Sequence, residues 1–193
     1  MAAGPAMPDR NSDCRGLTWA YDLRMPLRYV DPAKKHGPVY KATERFGRSR
    51  IGQLYVRKIA SRTDPWVYRV TGGRLPSRDW SVPSAPLRTT GAKSGLPREV
   101  QVSYFHDGSD PILIASNYGG ARHPHWYHNL IAHPECQLGG ERFVATAITG
   151  ADEHERLYAL AERVYAGYHD YRVKTAPIGR QIPVFRLSRS ESG

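Results

Sequence analysis

The chain has no run of about 18 apolar residues, which excludes a membrane-spanning helix. It has only two cysteines, Cys14 and Cys136, and no CxxC pair. That argues against a disulfide framework or a cysteine-held zinc and fits a reducing compartment. The opening MAAGPAMPDRNSD lacks the apolar core of a secretory signal, so a cytoplasmic location is expected. There is no HExxH, no internal repeat and no low-complexity tract. Acidic residues are scarce in one part only. Residues 1–80 hold 16 Lys and Arg against 7 Asp and Glu, whereas residues 81–193 hold 12 against 11. The net charge of +10 is therefore concentrated N-terminally, and a whole-surface nucleic-acid binder is not expected.

What is present suits one ordinary domain of 193 residues, 40% hydrophobic and 24% charged, large enough to bury a core without metals. Residues 1–37 show no period and read as an irregular leader. Residues 38–62 turn helical, with Val39, Thr43 and Phe46 on one face and Ile51, Leu54, Tyr55 and Ile59 following out of phase past Gly47 and Gly52. Residues 34–62 carry nine Lys or Arg and one acid, Glu44. From residue 63 the period changes towards strands. Trp66–Thr71 alternates, Ser77–Pro86 reads as a loop, and β-like runs follow at Leu87–Thr90, Val100–Phe105, Ile112–Ser116, Phe143–Thr149 and Ile182–Leu187. Helices are expected near Pro124–Ala132 and Asp152–Ala166, the second with Leu157, Leu160, Ala161 and Val164 as its apolar stripe. Many short strands with few helices predict an α+β chain built on a small barrel over residues 63–193.

Three segments have the composition of a site. In Thr89–Arg98 (TTGAKSGLPR) a strand enters a loop with two glycines, Lys93, Ser94 and Arg98. Such a loop brings backbone N–H groups and cations to an anion, although it is not a Walker A loop. In Ser116–Leu130 (SNYGGARHPHWYHNL) small residues lead into an aromatic helix N-terminus, which presents free amide donors. The histidines in and just after it, His123, His125, His128 and His133, have a single carboxylate nearby, Glu135, and no metal site is expected. In Val164–Tyr171 (VYAGYHDY) tyrosines 165, 168 and 171 recur every three residues past a helix end. They suit either terminus packing or a wall that stacks on a planar ligand and offers phenol hydrogen bonds.

Together TTGAKSGLPR, VSYF, ASNYGGARHPHWYHNLIAHPE, VYAGYHDY and IPVFRL resemble the deazaflavin-dependent nitroreductase family, in order and spacing, across about residues 85–187. The YRVTGGR segment at 68–74 is similar to that family's lead-in to the barrel. The resemblance implies a split β-barrel of the FMN-binding type with flanking helices, preceded here by the N-terminal helical segment. It also implies the coenzyme F420, an 8-hydroxy-5-deazaflavin that carries hydride. On the family's pattern Lys93, Ser94 and Arg98 hold the phosphate and acidic tail, and Tyr104 lines the same site. Ser116, Asn117 and Gly119 run along the ring, with Trp126 and Asn129 on the helix beside it. Tyr165, Tyr168 and Tyr171 cover the substrate side, with His125 near them. The chain departs from the pattern at Ala92, where a second basic residue is common, at Asn117, where some members have lysine, and at His125, where small or apolar residues are common.

The implied activity is hydride transfer from reduced F420 to a planar electrophile: a quinone, a nitroaromatic or an enone. The protein would supply positioning and polarity, while the cofactor carries the chemistry. Tyr168, Tyr171 and Ser116 are the implied catalytic residues, and the second proton is assigned to solvent, Tyr168 or Tyr171. Two alternatives stand beside this: an FMN-dependent oxidase or reductase on the same barrel, and a non-catalytic deazaflavin-binding protein. The expected partners are a small-molecule electron acceptor and, through residues 34–62, weak peripheral contact with an anionic membrane at its inner face. The sequence leaves the oligomeric state open.

Overall fold

The computed structural model describes residues 27–33 and 83–190. The expected helical segment 38–62, the expected strand Trp66–Thr71 and the segment 68–74 lie outside those residues. Buried and half-buried side chains alternate strictly along β1 (Ser84–Thr90), the pattern of a strand with one face inward. It pairs with β2 (Pro97–Asp107), which turns through Gly108-Ser109 into β3 (Asp110–Ile114). After α1 (His125–Ala132) come β4 (Glu135–Leu138) and β5 (Glu141–Ala147). Gly139 and Gly140 join that hairpin, both with positive φ (59° and 90°), as the tightest two-residue turn requires. Next are α2 (Ala151–Val164), α3 (Gly167–Thr175) and β6 (Val184–Arg189). All pairings are antiparallel, and the strands close in the order β1-β2-β3-β6-β5-β4, so no edge is left unpaired. This closed six-stranded barrel with flanking helices is the α+β split-barrel class that the sequence implied.

Residues directly opposite on neighbouring strands share a face. Leu87 faces Leu138, Leu113 faces Tyr104 and Phe185, and Ala145 faces Leu187, so these chains fill the interior. The opposite parity, Phe105, Ile112 and Val184, is also buried, because α2 packs on β2, β3 and β6 with Leu157, Tyr158, Ala161 and Val164 on its buried face. Each fully buried aliphatic contributes about 1.5–3 kcal/mol. Cys136 lies in this core, and burial pushes its thiol up to about 12, so it is no thiolate at neutral pH.

Part of the expected leader belongs to the barrel. The Val30 N–H donates to His106 Nδ1 at 3.1 Å, and the His106 N–H donates to the Val30 carbonyl at 3.0 Å. The Tyr104 hydroxyl donates to the Arg28 carbonyl at 2.9 Å, and the Leu27 N–H reaches Glu141 Oε1 at 2.9 Å. Three local expectations differ from the structure. β1 begins at Ser84, inside the stretch read as a loop, and β4 was not anticipated. The tyrosine segment does not trail off a helix: α2 stops at Val164, Tyr165 is extended (φ −151°), and α3 starts at Gly167.

Candidate active site

The loop after β1 is tied at its base. The Gly91 N–H donates to the Leu96 carbonyl at 2.9 Å, and the Gly95 N–H returns to the Gly91 carbonyl at 2.8 Å. Lys93, Ser94 and Arg98 are exposed, and neither cation pairs with a carboxylate among the described residues. Asn129, buried on α1, clamps this loop to the barrel. Its Oδ1 accepts from the Ala92 N–H and its Nδ2 donates to Thr89 Oγ1, both at 3.0 Å. Its amide is thus engaged within the protein at both ends. The exposed His125 opens α1, whereas Trp126 is buried with its ring 6.0 Å from that of Phe185. Tyr104 is buried too, its hydroxyl turned to the 27–33 segment.

The turn after β3 is strained. Asn117 and Tyr118 have φ of 50° and 55°, the left-handed region that non-glycine residues seldom adopt, and Gly119 follows at 70°. The Asn117 Nδ2 donates to the Arg122 carbonyl at 2.9 Å, closing the loop on itself. Ser116 is half-buried at its start, and Gly119 rests against α3, where a Cβ would stand 3.1 Å from the Cα of Tyr171. Arg180, which the sequence reading did not single out, caps this turn. Its guanidinium donates to the carbonyls of Ser116 (3.0 Å), Gly120 (2.9 Å) and Ala115 (2.8 Å).

The three tyrosines do come together. The rings of Tyr168 and Tyr171 lie 6.0 Å apart at 88°, Tyr165 and Tyr168 5.8 Å apart at 84°, and Tyr118 meets Tyr171 at 6.3 Å. These edge-to-face contacts are favoured by the ring quadrupole. The Tyr165 ring sits against the bare Cα of Gly167, where a Cβ would be far inside contact distance. Burial, followed by the neighbouring Tyr165 hydroxyl, pushes the Tyr171 phenol far above its ordinary value, so it stays protonated. The cluster is buried rather than an open wall, with Tyr171 5% exposed. Among the described residues no three His, Cys, Asp or Glu side chains converge as metal ligands.

A family model described as F420H(2)-dependent quinone reductase matches residues 60–188, two thirds of the chain. The chain belongs to this family. The match runs through the basic loop, the strained turn and the tyrosine helix. An F420H(2)-dependent quinone reductase of Mycobacterium tuberculosis is 38% identical over 133 residues, covering 64% of this chain and 85% of the relative. Among solved structures, one described as a domain-swapped dimer is 30% identical with a TM-score of 0.50, covering 70% of this chain and 98% of its own. An F420-H2 dependent reductase is 33% identical with a TM-score of 0.47, over 54% of this chain and 93% of its own. F420 is the cofactor that family membership implies, and FMN drops to the lesser alternative.

Proposed function

We propose that this protein reduces a quinone with hydride from reduced F420, binding the coenzyme between the 91–98 loop and the 116–120 turn. The observation that carries this reading is the family match over residues 60–188, which takes in every segment of the candidate site. The donor set suits the coenzyme. Two exposed cations without carboxylate partners among the described residues, Lys93 and Arg98, stand on a glycine loop, the chemistry that a phosphate and an acidic tail require. When bound, the reduced coenzyme supplies a two-electron hydride from carbon. Asn129 holds the loop in register, and Ser116, Asn117 and Gly119 set the ring-side edge. Tyr168 and Tyr171 orient the acceptor oxygen through their hydroxyls, with Tyr165 and His125 as the further contacts. Nitroaromatics are a secondary acceptor class on the same chemistry. Weak contact of residues 34–62 with an anionic membrane would bring the site to membrane-dissolved quinones.

The test titrates the full chain with oxidised F420 by fluorescence, with FMN in a parallel arm. Oxidation of reduced F420 is then followed with a quinone and with a nitroaromatic. Saturable F420 binding with quinone-dependent oxidation is expected. FMN binding without F420 binding, or F420 binding with no turnover on any acceptor, would overturn the reading.

A further inference from the structure

Arg180 is a half-buried cation whose charge meets no carboxylate among the described residues. It follows Gly179, which ends the Ala176–Ile178 turn in the left-handed region (φ 64°) and swings the chain back towards the barrel. Besides the three carbonyls, its Nε and Nη2 lie 3.3 and 3.2 Å from His123 Nδ1. Partial burial lowers the pKa of the guanidinium. The carbonyls it gathers, from Ala115, Ser116 and Gly120, bracket the residues forced into left-handed φ. Such strain persists only where the surroundings over-determine it. The two contacts to His123 need its Nδ1 as an acceptor, hence a neutral imidazole. The groups facing that ring fit this: Arg180 from one side, and from α1 the Tyr127 ring at 4.4 Å and the His128 ring at 6.2 Å. Burial, then Arg180 and His128, shift His123 below its ordinary value.

We infer that Arg180 is a positioning residue for the coenzyme's ring side, acting through the Ala115–Gly120 backbone, with neutral His123 as its latch. This rests on the proposed F420 reading. A protonated His123 loses its acceptor and sets a second cation against Arg180, so the turn loosens on acidification.

The experiment compares the full-length wild type, Arg180→Lys, Arg180→Gln and His123→Gln. Readouts are F420 affinity by fluorescence, thermal midpoint, and kcat against KM for the quinone, each from pH 5 to 8. Both Arg180 variants should lose about 10-fold or more in F420 affinity, since a lysine meets at most one or two of the carbonyls. KM for the quinone should stay near wild type. His123→Gln keeps an acceptor that cannot protonate, so it should bind F420 like wild type at pH 8 and lose less affinity at pH 5. Any titration of F420 itself is common to both proteins and cancels. Unchanged F420 affinity in folded Arg180 variants would overturn the inference, as would parallel acid profiles for wild type and His123→Gln. The His123 arm also decides the matter if the Arg180 variants do not fold. Failure of wild type to bind F420 overturns the function reading instead.

Discussion

Val30 and His106 exchange two hydrogen bonds, one backbone to backbone and one from the Val30 N–H to the imidazole Nδ1. The pair docks residues 27–33 on the barrel, and it works only while Nδ1 is unprotonated. Tyr29 stacks on the same ring at 4.8 Å, and Tyr104 meets its edge at 5.6 Å.

Burial lowers the His106 pKa, against the opposing pull of Glu141 and Asp110 and with some help from Arg189. The folded state therefore binds its proton less readily than the unfolded chain. The stability this contributes is fully present above the ordinary value of 6.5 and is lost as pH falls below it. Thermal midpoints should drop as pH falls from 7 to 5, and hydrogen-exchange protection at the Val30 amide should fall with them. His106→Gln should flatten both dependences; an unchanged pH slope in that variant would refute the assignment.

Lys93→Ala and Arg98→Ala should each weaken F420 binding by about 10-fold, the lower end for charge-assisted bonds because both sites are exposed. Asn129→Leu keeps both cations but frees the loop and orphans the Thr89 hydroxyl. It should weaken F420 binding and also lower the melting temperature, which the two loop variants should not. Fluorescence titration beside thermal melts separates the cases.

Tyr168→Phe and Tyr171→Phe keep the ring packing and remove one hydroxyl each. Turnover on a quinone should fall several-fold to about 10-fold while F420 affinity stays near wild type. With the Tyr171 phenol pushed up by burial, its ionisation should cause no rate loss as pH rises to 10. Steady-state kinetics across pH check both statements. A loss confined to coenzyme binding would move these residues to the other face of the ring.

Asp107 accepts from Arg156 at 2.6 Å and Arg186 at 2.7 Å, tying the β2–β3 hairpin to α2 and β6. The Arg156 hydrogen bond, followed by burial that opposes it and by Arg186, leaves its carboxyl near 2, below its ordinary 3.8. A depressed carboxylate contributes stability above its unfolded value and loses it as pH falls through the folded one. Urea midpoints should therefore decline between about pH 4 and pH 2. Asp107→Asn should cost about 1 kcal/mol at neutral pH and remove part of that acid slope.

Where neighbours along the chain decide structure, the sequence was readable. Short β-like runs between turns marked β2, β3, β5 and β6, and a spaced apolar stripe marked α2. Glu135–Leu138 is too short to show a period and becomes a strand only because β1 and β5 accept it on either side. The opening of β1 was hidden by Pro83 and Pro86. The tyrosines 165, 168 and 171 were placed past a helix end, whereas α3 starts anew at Gly167 and carries two of them. The site residues named beforehand lie in the three segments described, apart from Tyr104 on β2, and Asn129, Trp126 and Tyr104 are buried. Arg180 carried no local signal, since its partners stand 57 to 65 residues away and meet it only after folding.

The missing side chain at Gly167 has a use beyond packing. The Tyr165 ring fills the space a methyl group would occupy. Gly167→Ala would therefore act as a wedge, prying that ring from its seat while leaving all three phenols in the protein. On the proposed reading, Gly167→Ala should change the preference among acceptors without removing any functional group, read as the ratio of kcat/KM for two quinones of different size.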